Sequence, residues 1–163
     1  MRYAAALVLL VFAAGGVGAA TDPGVDCSFA YVEKDYETAV AVCTAAAEQG
    51  DLTAQITIAG MYDFGDGVPQ DYAKAAEWFT KAAEQGYAMA QGALGVIYYL
   101  GEGVPKDYVR AFMWLNLAAP QGDEEVAKAK DTLRKRMTPE QIAEAQRLSS
   151  KWFEKFKATE DGD

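Results

Sequence analysis

The sequence contains no histidine, only three serines and only two cysteines in 163 residues. The missing histidine removes the commonest general acid–base, every Ser-His or Cys-His nucleophile pair and the commonest metal ligand. Two cysteines without histidine cannot complete a four-ligand zinc site. Basic residues are scarce too: 15 Lys and Arg stand against 24 Asp and Glu, a net charge of -9. Nucleic acids and anionic membranes require clustered Lys and Arg, which argues against either as the partner. Alanine is in excess, with 31 residues in a composition that is 51% hydrophobic. Such a chain is too apolar to remain disordered, and its length suits one domain. The balance favours a scaffold without cofactor or metal over a catalyst.

Long apolar runs are lacking except at the start. Arg2 precedes the run Tyr3–Val17, and Gly18-Ala19-Ala20 lead into polar Thr21 and Asp22. A charged start, an apolar centre and a small-residue end describe a secretory signal peptide. The run is short for a transmembrane helix, which wants about 20 apolar residues. The expectation is cleavage near Ala20, export to the periplasm or beyond, and no membrane span afterwards. Export places Cys27 and Cys43 in an oxidising compartment, where one disulfide is expected.

The remainder is organised by an internal repeat. Shifted by 36 positions, Leu52–Tyr87 aligns with Ala88–Asp123 without a gap and with 15 identities, and Asp35–Gly50 matches Asp71–Gly86 at 9 of 16 positions. Self-similarity at this period marks a solenoid. Each copy reads as two helices. Ala54, Ile58, Met61, Tyr62 and Gly65 recur at three- and four-residue spacing, as one stripe of a first helix. Gly65-Asp66-Gly67-Val68-Pro69 then breaks it, since Gly suits a left-handed helix end and Pro cannot continue a helix. Asp71 is placed to cap a second helix, with Tyr72, Ala75, Ala76, Phe79, Ala82 and Ala83 on its buried side and Trp78 at its edge. Gly101, Gly103, Pro105, Asp107, Trp114 and Gly122 repeat the scheme.

The strings YDFGDGVPQDYAKAAEWFTKAAEQG and YYLGEGVPKDYVRAFMWLNLAAPQG resemble the Sel1-like repeat, a relative of the tetratricopeptide hairpin, over residues 35–123. The resemblance implies an all-α fold, a right-handed α-α solenoid of helical hairpins, and an adaptor or regulator that assembles other proteins. The chain departs from the family pattern in two places. Glu33-Lys34-Asp35 stands where the first copy would have its Gly-Pro turn. Thr57 and Ala93 occupy first-helix positions where the family often has Asn, which argues against an Asn-based peptide clamp.

The ends read as caps. Val25–Glu33 is expected to form a helix against Tyr36–Gln49 with Lys34-Asp35 as the turn, which sets Cys27 opposite Cys43. Glu124–Met137 is expected as a helix with Val126, Ala129, Leu133 and Met137 inward, acids in its first turn and Arg134–Arg136 in its last, as the helix dipole favours. Thr138 and Gln141 form a capping box for a final helix with Ile142, Ala145, Leu148, Trp152 and Phe156 inward. The expected layout is a signal peptide at 1–20, an N-terminal cap or partial repeat at 21–51 and repeats at 52–87 and 88–123. A cap pair at 124–157 and a loose acidic tail at 158–163 complete it.

No catalytic constellation emerges. Asp71 and Asp107 are better used as caps, Asp66 and Glu102 lie in exposed turns, and no segment alternates acids as a calcium loop does. The Gly-x-Gly pairs follow helices and lack the Lys-Ser/Thr of a phosphate loop. A secreted hydrolase of the beta-lactamase type, discussed for some cysteine-rich relatives, is the alternative; Ser149-Ser150-Lys151 is not its Ser-x-x-Lys motif. A structural subunit of an envelope complex is a third reading. The leading expectation is a monomeric, non-enzymatic scaffold binding a protein or peptide on the concave face made by its first helices. The residues expected there are Thr57, Gly60, Asp63 and Phe64, with counterparts Ala93, Val96, Tyr99 and Leu100. Charge is uneven: residues 21–87 carry 12 acids and 3 bases, residues 88–163 carry 12 acids and 11 bases. The basic cluster Lys128, Lys130, Arg134, Lys135 and Arg136 reads as a solvated cap helix.

Overall fold

The computed structural model describes residues 26–160; the expected signal peptide and the last three residues of the acidic tail lie outside the described residues. Among the described residues every regular element is helical. The helices are α1 (Cys27–Val32), α2 (Tyr36–Glu48), α3 (Leu52–Phe64), α4 (Tyr72–Glu84), α5 (Ala88–Leu100), α6 (Tyr108–Ala118), α7 (Glu124–Arg134) and α8 (Pro139–Glu160). A single 3-10 turn, Ala119–Gln121, follows α6. From α1 to α7 each helix packs on the next, which is the nearest-neighbour plan of an α-α solenoid.

Aspartates start most of the helices. Asp26, Asp35, Asp51, Asp71, Asp107 and Asp123 each accept a first-turn backbone N–H with their carboxylates. Each satisfies a donor that the helix cannot satisfy itself. Asp123 is thus the cap of α7, just ahead of the first-turn acids Glu124 and Glu125. Thr138 and Gln141 make the expected reciprocal pair, at 3.0 and 3.3 Å.

Both turn glycines of the repeat are needed, for different reasons. Gly65 and Gly101 end α3 and α5 in the left-handed region, at φ 78° and 79°. Gly67 and Gly103 are also left-handed, and they lie against the start of the preceding second helix. A Cβ on Gly67 would sit 2.6 Å from the Cβ of Tyr36, and one on Gly103 would collide with the Tyr72–Ala73 peptide. The first hairpin, with three residues between its helices, lacks these glycines; Lys34 takes the left-handed conformation there, at φ 60°.

The core is built from small and large residues in alternation. Ala39, Ala54, Ala75, Ala82, Ala83, Ala90 and Ala111 are fully buried and let helices approach closely. Ile58, Met61, Leu94, Phe112, Trp114 and Leu115 fill the volume between them. Trp78, expected at an edge, is half-buried and lies under the Lys81 ammonium, 3.7 Å from the ring centre. Cys27 and Cys43 are bonded, with their Cα atoms 4.7 Å apart, and tie α1 to α2.

The C-terminal cap departs from expectation. α7 ends at Arg134, three residues short of Met137, which is buried in the following turn. α8 packs mainly on α6 and is not the partner of α7 in a closed pair. Ser149 explains the attachment: its hydroxyl donates to the Ala145 carbonyl at 2.8 Å and accepts from the Asn116 amide on α6 at 3.3 Å. Further along, Trp152 meets Trp114 edge-on and Phe156 covers Gly86, where a Cβ would lie 2.7 Å from the Phe156 ring. α8 therefore extends back across α6 to the end of α4, and continues to Glu160, past the expected start of the loose tail.

Candidate functional site

Thr57, Gly60 and Phe64 follow at three- and four-residue spacing on α3, as Ala93, Val96 and Leu100 do on α5, so each trio shares one helix face. Phe64, Val96 and Leu100 are exposed, as Phe29, Val32, Met89 and Phe153 are elsewhere among the described residues. Thr57 is half-buried and spends its hydroxyl on the Thr53 carbonyl at 2.9 Å. Gly60 faces open space: a Cβ built on it meets no atom within 4 Å. Asp63 is half-buried; its backbone carbonyl accepts from the Gln70 amide at 2.7 Å. Ala93 is half-buried.

Tyr99 is less free than its position in the repeat suggested. It is half-buried, stacks on Tyr108 at 5.7 Å between ring centres, and carries the Arg136 guanidinium 5.5 Å above its ring. With Val96 it borders a cavity of about 150 Å³ between α5, α6 and α7. Leu115 and Leu133 form its apolar floor, and Ala129 and Thr132 complete its wall on α7. Val96 and Tyr99 of α5 therefore border an apolar socket large enough for a partner side chain, while on α3 Phe64 is exposed and Gly60 faces open space.

A buried polar ladder supports these helices. Gln55 donates its amide to the Ala47 carbonyl at 3.2 Å, and Gln85 donates to the Gln55 Oε1 at 2.8 Å. One repeat on, Gln91 donates to Ala83 at 3.3 Å and Gln121 to the Gln91 Oε1 at 3.5 Å. Sequence comparison of the copies exposed these glutamines as identities without a role. Gln55 and Gln91 are buried in helix–helix seams, where an amide must be hydrogen-bonded, and exposed Gln85 and Gln121 reach in to them.

The Tyr31 hydroxyl donates to Asp66 at 2.9 Å; burial first, then that bond and the Asp66 charge, raise its pKa above the ordinary tyrosine value. Glu144 is lowered chiefly by its hydrogen bond with Arg147, and Asp35 by its cap bonds with Thr38. These are helix-end and surface contacts, and none lines the α5–α7 cavity. Among the described residues no group of three or more Cys, Asp and Glu is placed to hold a metal ion, and no helix is long and apolar enough to cross a membrane. Ser149, the serine of the hydrolase alternative, is buried with its hydroxyl engaged between α6 and α8.

Comparison with known proteins agrees with this architecture. The sequence profile of the Sel1 repeat matches residues 28–51, 53–87 and 88–123. The chain therefore belongs to the Sel1 repeat family. The first matched unit begins in α1, so the N-terminal hairpin is a shortened member of the series. Comparison with curated protein sequences finds no match. Among solved structures, the chain is similar to c5321, a protective antigen present in uropathogenic Escherichia coli strains that displays an SLR fold. The TM-score is 0.74 and the identity 33%, over 80% of this chain and 29% of that one. It is also similar to a Sel1 repeat protein from Oxalobacter formigenes, with a TM-score of 0.63 and 30% identity over 77% of this chain and 54% of that one. The chain thus spans well under two thirds of either relative.

Proposed function

We propose that this protein is an exported, non-enzymatic scaffold that binds a protein partner on the face carried by α3 and α5. The observation that supports this most is the exposure of Phe64 and its counterpart Leu100 at the ends of two equivalent first helices, with Val96 exposed one turn before Leu100. Exposed large apolar side chains that recur by repeat mark an interaction surface, because scattered ones have no reason to share a register. The cavity beside Val96 and Tyr99 offers a socket of the kind that anchors an interface. Helical-repeat proteins bind in this manner, using the surface that stacked hairpins create. The Cys27–Cys43 disulfide is compatible with an oxidising compartment, and so with the signal peptide read at residues 1–20.

The test is crosslinking capture in cells with a photoreactive residue placed singly at positions 60, 64, 96 and 153. Adducts of one size at 60, 64 and 96, and none at 153 on α8, are expected. Adducts confined to position 153 would place the partner on the C-terminal cap and end this reading.

A further inference from the structure

We infer that the edge made by the C-terminal ends of α1, α3 and α5 receives a cationic amphipathic segment of the partner protein: apolar on one side, rich in Lys or Arg beside it. The inference rests on the partner-binding reading above and names the partner's chemistry.

A recurring hydrogen bond sets the three hairpins in register. The backbone N–H of each second-helix cap donates to the preceding helix: Asp35 to the Ala30 carbonyl at 3.0 Å, Asp71 to Tyr62 at 2.9 Å, Asp107 to Tyr98 at 2.9 Å. Two residues beyond each acceptor stand Val32, Phe64 and Leu100, the last residues of α1, α3 and α5. All are exposed, by 72%, 71% and 46%. One exposed apolar residue is ordinary, but the same position in three successive hairpins makes a row. A shift of 36 residues hides this row, because it sets Val32 opposite Val68; the shorter first connection moves the true equivalent to Phe64.

The charge beside the first two members of the row is mainly acidic, while beside Leu100 Lys106 packs on Gly101 and Arg136 lies over Tyr99. Glu33 and Asp35 follow Val32, Asp63 and Asp66 flank Phe64, and Glu102 lies two residues past Leu100. Among the described residues none of these five acids is in a salt bridge. The Tyr31–Asp66 bond, at 2.9 Å, draws the α3–α4 turn against the end of α1 and joins the first two members of the row. Only three bases occur in residues 26–87: Lys34 stands between Glu33 and Asp35, and Lys74 and Lys81 lie over the rings of Tyr62 and Trp78. A ligand that covered the row without cations would desolvate these carboxylates unpaired, which is costly. One with cations beside its apolar face is steered in and paired on arrival. A nucleic acid or an anionic bilayer meets charge of its own sign here.

The oxidised full chain would be titrated against three labelled helical peptides of equal length, read by fluorescence anisotropy. The first alternates Lys with Leu in an amphipathic pattern, the second replaces Lys by Glu, and the third keeps Lys but replaces Leu by Gln. The Lys/Leu peptide is expected to bind at least about tenfold tighter than either other, and to weaken with added salt. Val32→Ser with Phe64→Ser, and separately Glu33→Lys with Asp63→Lys, are each expected to weaken it about tenfold or more, and Phe153→Ser on α8 to leave it unchanged. Circular dichroism confirms that each variant is folded. Equal binding of the Lys/Gln peptide, binding indifferent to the row, or no binding of any peptide would overturn the inference. So would sedimentation showing that the edge is covered by a second copy of this chain. Preference for the Glu/Leu peptide, lost in Val96→Asp but kept in the row variants, would also overturn it while leaving the binding face on α5 standing.

Discussion

Gln85 reaches across 30 residues of sequence to donate to the Oε1 of Gln55 at 2.8 Å, and Gln55 in turn donates to the Ala47 carbonyl. The pair joins three helices, α2, α3 and the end of α4, through one buried amide. Replacing Gln55 by Met keeps the volume and removes both bonds. The Ala47 carbonyl keeps the Gly50 N–H at 3.1 Å, so the loss is the net worth of two hydrogen bonds, about 1–3 kcal/mol, which urea denaturation should show. Gln85→Ala, on the exposed end of the ladder, should cost less.

Four glycines, in α3, in α5 and in two turns, sort by what surrounds them. Gly60→Ala adds a Cβ into open space and removes a flexible helical residue, so it should stabilise the protein by about 0.5–1 kcal/mol. Gly95→Ala puts a Cβ 2.5 Å from the Leu115 side chain and should destabilise by about 1–3 kcal/mol. Gly103→Ala should be worse than Gly122→Ala: both are left-handed, but only Gly103 is pressed against backbone. Thermal melts of the four variants check the order.

Reduction of the Cys27–Cys43 bond releases a loop of 16 residues, which in the chain-entropy account lowers stability by about 3 kcal/mol. Denaturation with and without reductant should show the difference. Hydrogen exchange should show the loss concentrated in α1, a six-residue helix that depends on its link to α2.

Alkaline pH should weaken the same end of the molecule. Tyr31 has a folded pKa above its unfolded value, because burial and Asp66 favour the neutral phenol. Its contribution is fully present below about pH 10 and is lost as pH rises through the folded value. Tyr31→Phe should therefore be less stable than the wild type at pH 8, and the gap should close as pH climbs past 10. A gap that stayed constant over that range would contradict the assignment.

The repeat was readable in the sequence because its signals are local. Gly65, Pro69 and Asp71 each act within a few residues, and Ala75, Ala82 and Ala83 follow a single helical period. The capping box at Thr138 was legible for the same reason. The attachment of α8 was not, since Ser149, Asn116, Phe156 and Gly86 meet through tertiary packing that no period encodes. The end of α7 shifted because Met137 stays buried after the helix has stopped, so burial alone does not extend a helix. Among the expected binding residues, the exposure of Phe64, Val96 and Leu100 and the open space at Gly60 fit an outward face. Tyr99 is partly committed to Tyr108 and Arg136. The cavity beside it needs α7, which lies outside the repeated units. Val32 escaped notice because the first connection is shorter than the period.

Binding and folding must be separable if the face on α3 and α5 carries the function. Trp114 is 93% buried by its 7% exposure, so Trp114→Ala should cost about 3–5 kcal/mol and abolish binding only with the fold.

The most direct measurement pairs Gly60→Arg with the capture of the partner. The substitution fills the open space on α3 with a long charged side chain, where no atom stands within 4 Å of the new Cβ. The account predicts a circular dichroism melt at or above that of the wild type, together with loss of the crosslinked partner. An unchanged melt with undiminished capture would contradict it.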